Sequence, residues 1–447
     1  MSDMNKNNGS KILALLGWGL VIILMIVVAV LGLFIASIME RRHEAAYITQ
    51  IITPIADMEP DSAKWGLNFP REYETWKMTE LGGANTKYGG PEKRDYLKDD
   101  PRLVDLFKGY AFAAEYQQAR GHMHAIEDVT GTARVDPSRG GKAQPGTCMT
   151  CKSPDVPMLM KEMGVAEFYH APFDEIKKKV SHPIGCADCH DAKTMNLKIT
   201  RPTLREAFAA MGKDIDKATY QEMRSLVCAQ CHVEYYFAKK NPEEKKGTYL
   251  TFPWKFGLNI DDIEKYYTDD YRHVDWVHPV SGTEIVKMQH PDYELFTTGV
   301  HYYRGVACAD CHMPYKSEGG VKFTDHHIQS PLKDISNSCG VCHRWSEAEV
   351  VARVNAIQDK NRQLLDITED ALVAAHKEVG DAMKAGAGDE QLADARELIR
   401  RAQMRWDFVA ANNGMGIHSP QESARILATA VDLAQQARLL VAKLGKG

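Results

Sequence analysis

At five places in this chain two cysteines stand three residues apart, and that repeated spacing limits what the surrounding sequence can become. Four of the five read Cys186-Ala187-Asp188-Cys189-His190, Cys228-Ala229-Gln230-Cys231-His232, Cys308-Ala309-Asp310-Cys311-His312 and Cys339-Gly340-Val341-Cys342-His343. The first in chain order reads Cys148-Met149-Thr150-Cys151-Lys152. Cys-x-x-Cys-His is the attachment sequence of c-type haem: the two thiols form thioethers to the vinyl groups, and the adjacent histidine reaches the iron. These motifs use all ten cysteines, so no thiol is left for a disulfide, a nucleophile or an iron–sulfur cluster. Paired cysteines also hold zinc, but a histidine directly after four of the five pairs argues against it.

In the first motif a lysine takes the place of the histidine. A neutral amine is an adequate ligand, and lysine loses its proton when desolvated or metal-bound. An open face opposite Lys152 would leave that iron free to take a small molecule. Four haems that pass electrons and one that reacts describe a multi-electron reductase. A plain electron conduit, with all five irons fully ligated, is the competing reading. Electron-transfer haems need a second axial ligand each. Of the 17 histidines four follow cysteine pairs, and composition does not choose the four distal ligands from the thirteen that remain.

Ahead of the motifs, a polar start carrying Lys6 and Lys11 leads into a nearly unbroken apolar run from Ile12 to Met39. Its length suits a membrane span rather than a shorter secretory core. We read residues 1–43 as an uncleaved signal-anchor, with cleavage as the alternative. Thioether attachment takes place outside the cytoplasmic membrane, so the body is expected to face the periplasm. From His43 to about Lys98 the chain is rich in turn residues, with Pro54, Pro60, Pro70 and Pro91. Asp100-Pro101 predicts the start of a helix running to about His124, with Leu103, Leu106, Phe107 and Tyr110 on its apolar face.

Between the motifs only short helices are expected, for instance Thr203–Met211 and Lys217–His232, because haem planes would replace side chains as core. Residues 44–346 form this haem region. Residues 347–447 read as three long helices: Ser346 with Glu349 makes a capping box, Gly386 and Gly388 interrupt, a second helix runs to about Asn413, and Ser419-Pro420-Gln421-Glu422 starts a third that ends near Gly445. The fold class is therefore mainly α, with a haem-filled core, few short strands and long C-terminal helices that serve either as a subunit interface or as an internal bundle. The net charge of -5 argues against a nucleic-acid partner.

The sequence resembles the ammonia-forming pentahaem cytochrome c nitrite reductases from about His122 to the C-terminal helix. The motif with lysine comes first, and Ser153-Pro154-Asp155-Val156 follows it. Cys228–His232 runs on into Val233-Glu234-Tyr235-Tyr236-Phe237. Lys287-Met288-Gln289-His290-Pro291, Cys311-His312-Met313-Pro314 and Thr324-Asp325-His326 match as well. The resemblance implies that Lys152 is the proximal ligand of the catalytic haem. It implies His122, His301, His326 and His418 as distal ligands of the haems bound at Cys228/Cys231, Cys339/Cys342, Cys186/Cys189 and Cys308/Cys311. Arg134, Tyr235 and His290 are expected around the open face. A calcium ion is expected at Glu234, the carbonyls of Tyr235 and Lys287, and Gln289.

What the resemblance implies as function is six-electron reduction of nitrite to ammonium, with hydroxylamine, nitric oxide and sulfite as further substrates for the same pocket. It also implies a membrane quinol dehydrogenase of multihaem cytochrome type as electron donor, and a homodimer formed through the C-terminal helices. The long apolar run departs from the many relatives that are soluble in the periplasm and fits a tethered form.

Overall fold

The computed structural model describes residues 3–48, 51–241, 243–244 and 246–444. It divides into two compact units, one ending at Pro54 and one beginning at Ile55. The first unit is a single helix, Asp3–Ile48. Its stretch Leu13–Glu40 is long and apolar enough to cross a membrane, and none of it is buried against protein. Leu16, Trp18 and Phe34 all lie exposed along it.

Among the described residues of the second unit up to 346, the chain forms short helices, 3-10 and π turns and three two-stranded hairpins. Tyr236–Ala238 pairs with Tyr249–Thr251, Trp276–Val277 with Glu284–Ile285, and Tyr315–Glu318 with Val321–Thr324, all antiparallel. Strands this few and short cannot make a sheet core, and apolar side chains gather instead in separate clusters. One joins Leu106, Phe107, Trp276 and Met288 to Leu365, Trp406 and Phe408 of the C-terminal helices. Another joins Met149 and Val156, beside the lysine motif, to Phe168, Leu204, Trp254 and Tyr293.

The long helices form where their caps predict. Glu347–Lys384 opens on the reciprocal pair in which Ser346 Oγ accepts from Glu349 N at 3.3 Å and the Glu349 carboxylate accepts from Ser346 N at 2.8 Å. Gly386, with φ +100°, ends it in a conformation that few side chains adopt. Asp389–Ala410 and Pro420–Leu444 follow. The predicted terminus near Gly445 lies outside the described residues. The three helices pack on one another through Leu372, Ala375 and Val379, then Leu392, Ala395 and Ile399, then Ala434, Ala437 and Val441.

Three expectations need correction. The predicted helix from Asp100 to His124 is only Arg102–Leu106, followed by 3-10 turns at Ala111–Ala113 and His122–His124. Gly109, at φ +86°, turns the chain where a Cβ would meet the Pro279 ring at 2.9 Å. The aromatic residues read as one helical face instead point into a shared cluster, with Tyr110 stacked on Trp276 at 4.5 Å and Phe107 tilted on Trp406 at 5.6 Å. Lys217–His232 shortens to Tyr220–Leu226 because Thr219 and Glu222 cap it and the chain then turns into the cysteine motif. Conversely, Pro70, read as a turn residue, opens the helix Pro70–Leu81 from its first position.

One buried histidine knits the long helices to the haem region. Its Nδ1 meets Ser281 Oγ at 2.7 Å and its Nε2 meets Gln403 Oε1 at 2.7 Å, while Gln403 Nε2 donates to Leu106 O at 2.8 Å. This residue is His376; burial, and then the neighbouring His278 stacked at 3.9 Å, push its pKa down to about 3. Unfolded histidine takes up a proton near pH 6.5 that the folded state refuses. Its contribution to stability is therefore complete above about pH 6.5 and is lost as pH falls toward about 3. The urea midpoint of native protein is expected to fall over that window more steeply than that of His376→Gln; parallel pH profiles would remove this histidine from the acid response.

Candidate functional site

Four pairs of histidines face each other. The ring centroids of His122 and His232 are 6.3 Å apart, those of His190 and His326 6.2 Å, His301 and His343 6.3 Å, and His312 and His418 6.4 Å. Each pair joins the histidine of one cysteine motif to the distal candidate proposed for that motif. Two imidazoles binding opposite sides of one metal ion need a separation of roughly 6.4 Å, from about 2 Å per metal–nitrogen bond and about 1.2 Å from nitrogen to ring centre. The gaps therefore fit an iron between each pair.

Hydrogen bonds at the other ring nitrogen fix several of these rings. His190 Nδ1 meets Met195 O at 2.9 Å, His312 Nδ1 meets Gln329 O at 2.9 Å, and His326 Nδ1 meets Thr324 O at 2.8 Å. That leaves Nε2 as the nitrogen available to metal. Burial lowers the pKa of His122 to about 3 and those of His190 and His312 to about 4, which holds them in the neutral form that ligates. His301, His326 and His418 are shifted down by burial as well. His232 differs: burial opposes its charge, but the Asp292 carboxylate 3.3 Å from Nδ1 raises its pKa.

The cysteine motifs are built as tight turns, and among the described residues all ten thiols are free. In Cys186–Cys189 the Asp188 carboxylate accepts from Gly185 N at 2.8 Å, and in Cys308–His312 the Asp310 carboxylate accepts from Ala307 N at 2.8 Å. Each of these aspartates is held by a buried arginine, Arg201 at 2.6 Å and Arg224 at 2.9 Å. Arg201 also donates to the carbonyls of Thr150 at 2.8 Å and Ser153 at 2.9 Å, so it ties the lysine motif to the next one. Motifs distant in sequence are neighbours: Cys151 is near enough to Cys231, and Cys228 to Cys308, for their thiols to influence one another.

Lys152, Arg134, Tyr235 and His290 all line one cavity of about 1780 Å³. The Tyr235 and His290 rings sit 6.4 Å apart. Burial, and then the neighbouring Lys152, push the His290 pKa down to about 3, and burial raises that of Tyr235. Arg134 is placed by a short 3-10 turn, Ala133–Val135, that Thr132 caps. Its guanidinium lies 4.0 Å over the Phe112 ring. At neutral pH the cavity therefore offers a fixed cation, a phenol and an uncharged imidazole beside the lysine.

Glu234, Lys287 and Gln289 adjoin this group. The Glu234 carboxylate is fully buried, accepts from Gln289 N at 2.6 Å and from Tyr267 Oη at 3.0 Å, and makes no ion pair among the described residues. Burial raises its pKa well above the usual carboxylate range. The Lys287 side chain turns away to Asp407, 2.8 Å distant, while its carbonyl faces Gln289 Nε2 at 3.2 Å. A buried carboxylate without a countercharge is costly, and the donors beside it are carboxylate, amide and carbonyl oxygens of the kind calcium prefers. The residues fit a hard cation.

The model of the family described as cytochrome c552 matches residues 61–446. The chain belongs to this family. Cytochrome c-552 of Bacteroides fragilis is 49% identical over 431 residues, covering 96% of this chain and 86% of its own. The Parabacteroides distasonis protein of that name is 49% identical over 434 residues, again covering 96% and 86%. Among solved structures, the catalytic subunit of cytochrome c nitrite reductase from Desulfovibrio desulfuricans superposes with a TM-score of 0.81 at 33% identity and 88% coverage of both chains. That structure is described as having two calcium sites. Cytochrome c552 proteins of this kind are oxidoreductases with covalently attached haem c, which accounts for the ten free thiols and the facing histidines of this one.

Several residues that shape this cytochrome c552 site are ones that motif reading passes over. Asp188 and Asp310 carried a signal, since both sit in the same Cys-Ala-Asp-Cys-His context. Arg201, Asp292 and Asp407 carried none: a lone arginine or aspartate is ordinary in sequence until the fold buries it.

Proposed function

We propose that the chain reduces nitrite to ammonium, a conversion that takes six electrons and eight protons and releases two waters. The observation that carries this reading is the convergence of Lys152, the one residue that breaks the histidine pattern, with Arg134, Tyr235 and His290 on one cavity. Haem covalently held at five sites, when bound, supplies the electrons and, beside Lys152, a place for the substrate nitrogen. The protein's own part is to bind, orient and protonate. Arg134 offers an anion two or more N–H donors in a planar fork. The neutral His290 donates a hydrogen bond to the same oxygens and relays a proton to them, taking one up on its second ring nitrogen as it gives one from the first, as they leave as water. Tyr235, with its proton firmly held, donates from its hydroxyl to whatever species occupies the centre of the pocket. The nearness of Cys151 to Cys231 and of Cys228 to Cys308 supports close approach of neighbouring haems.

The same pocket would accept hydroxylamine, nitric oxide or sulfite. The domain reading is a membrane segment 1–43, a haem region 44–346 and a C-terminal region 347–447 that pairs two copies of the chain. The apolar helix supports a periplasmic enzyme tethered to the membrane and fed by a multihaem quinol dehydrogenase.

The test is ammonium formed per nitrite consumed by holoprotein with a low-potential donor. A yield near one with no accumulated nitric oxide is the expected result; no nitrite consumption by protein carrying all its haem would overturn the reading. Calcium is proposed at Glu234, the carbonyls of Tyr235 and Lys287, and Gln289. Metal analysis should find about one tightly held calcium at this site and its loss in Glu234→Gln; equal calcium in both proteins would place the ion elsewhere.

A further inference from the structure

Asp292 opens the short helix Asp292–Phe296, two residues after His290, and only 8% of it is exposed. Four nitrogens converge on its carboxylate. His232 Nδ1 lies 3.3 Å from Oδ2, and His418 Nδ1 lies 3.9 Å from Oδ1. Asn413 supplies the other two, its backbone N donating to Oδ1 at 2.8 Å and its side-chain Nδ2 to Oδ2 at 2.6 Å. Among the described residues His418 Nδ1 is buried without a hydrogen-bond partner, and the Asp292 carboxylate is the negative charge within 4 Å of it.

His232 and His418 belong to different pairs, the first facing His122 and the second facing His312. One carboxylate thus stands behind a ligand of each of two haems. The other rings with a bonded Nδ1 give it to neutral backbone carbonyls, at Met195, Gln329 and Thr324. An imidazole whose far N–H points at a carboxylate becomes a stronger donor and favours the oxidised metal. The full negative charge does so more than a carbonyl dipole, especially where water is excluded.

We propose that Asp292 is a shared positioning and charge-setting residue that lowers the reduction potentials of the haems ligated by His232 and by His418 together. The inference rests on the ligand assignment above but not on the substrate. It sets the two haems apart from the haem of His190 and His326, whose Nδ1 atoms meet only backbone carbonyls.

The test is a spectroelectrochemical titration of the holoprotein, following the four low-spin ferric signals and the signal of the Lys152 haem individually. In Asp292→Asn two of the five midpoint potentials should shift upward and three should stay fixed. No shift, a shift confined to one haem, or a drift of all five would overturn the proposal. Asn413→Ala removes one donor and leaves the carboxylate more strongly charged toward His232, so the same two potentials should shift downward. It decides the matter if Asp292→Asn fails to accumulate with its haems; an upward or absent shift there would count against the proposal. Nitrite turnover does not enter this readout, so the reading of the substrate could fail while this one stands.

Discussion

Replacing Lys152 with histidine is expected to leave haem attached at all five motifs and to lower nitrite turnover by about 100-fold. Attachment survives because Cys148 and Cys151 carry it, and the variant merely restores the pattern of the other four motifs. Turnover falls because the amine sits on a long unbranched stem that an imidazole does not reproduce. The segment behind it cannot move to compensate, since Arg201 holds the carbonyls of Thr150 and Ser153 from inside the protein. Haem content per chain and ammonium production are the two measurements. Wild-type turnover in a fully loaded variant would mean that the lysine is an accident of the motif.

His290→Ala should lower nitrite reduction by about 100- to 1000-fold, in the range for loss of a positioned proton donor. Hydroxylamine reduction should fall much less. Nitrite has two oxygens to be protonated and expelled, whereas hydroxylamine has one and no negative charge for Arg134 to hold. The Tyr235 ring, 6.4 Å from that of His290, remains to contact either substrate. Equal losses on both substrates would reduce His290 to a wall of the cavity.

How far the site was legible depends on which residues are constrained locally. Cysteine pairs are visible because covalent attachment demands one spacing, and the capping box at Ser346 and Glu349 is visible because its hydrogen bonds span a single turn. The partners of the haem histidines are not of this kind. His232 meets His122 from more than a hundred residues away, and among thirteen candidate histidines no local rule selects it. Resemblance supplied those four partners, and the geometry brings each to its motif. Leu103, Leu106, Phe107 and Tyr110 misled for a physical reason: helical spacing of apolar residues does not distinguish one buried stripe from side chains sent to an aromatic cluster around a turn at Gly109. Asp292 was illegible because its importance lies in two rings it meets only after folding.

The nearness of thiols from different motifs bears on how such a protein is made. Folded without haem, the chain would keep Cys151 near Cys231 and Cys228 near Cys308, each a pair of unmodified thiols open to oxidation. A cross-link within either pair would consume one sulfur from two attachment sites at once. In an oxidising environment such links would compete with haem attachment. Attaching haem before the chain compacts would remove that competition, because each thioether takes one of the thiols out of reach of its neighbour.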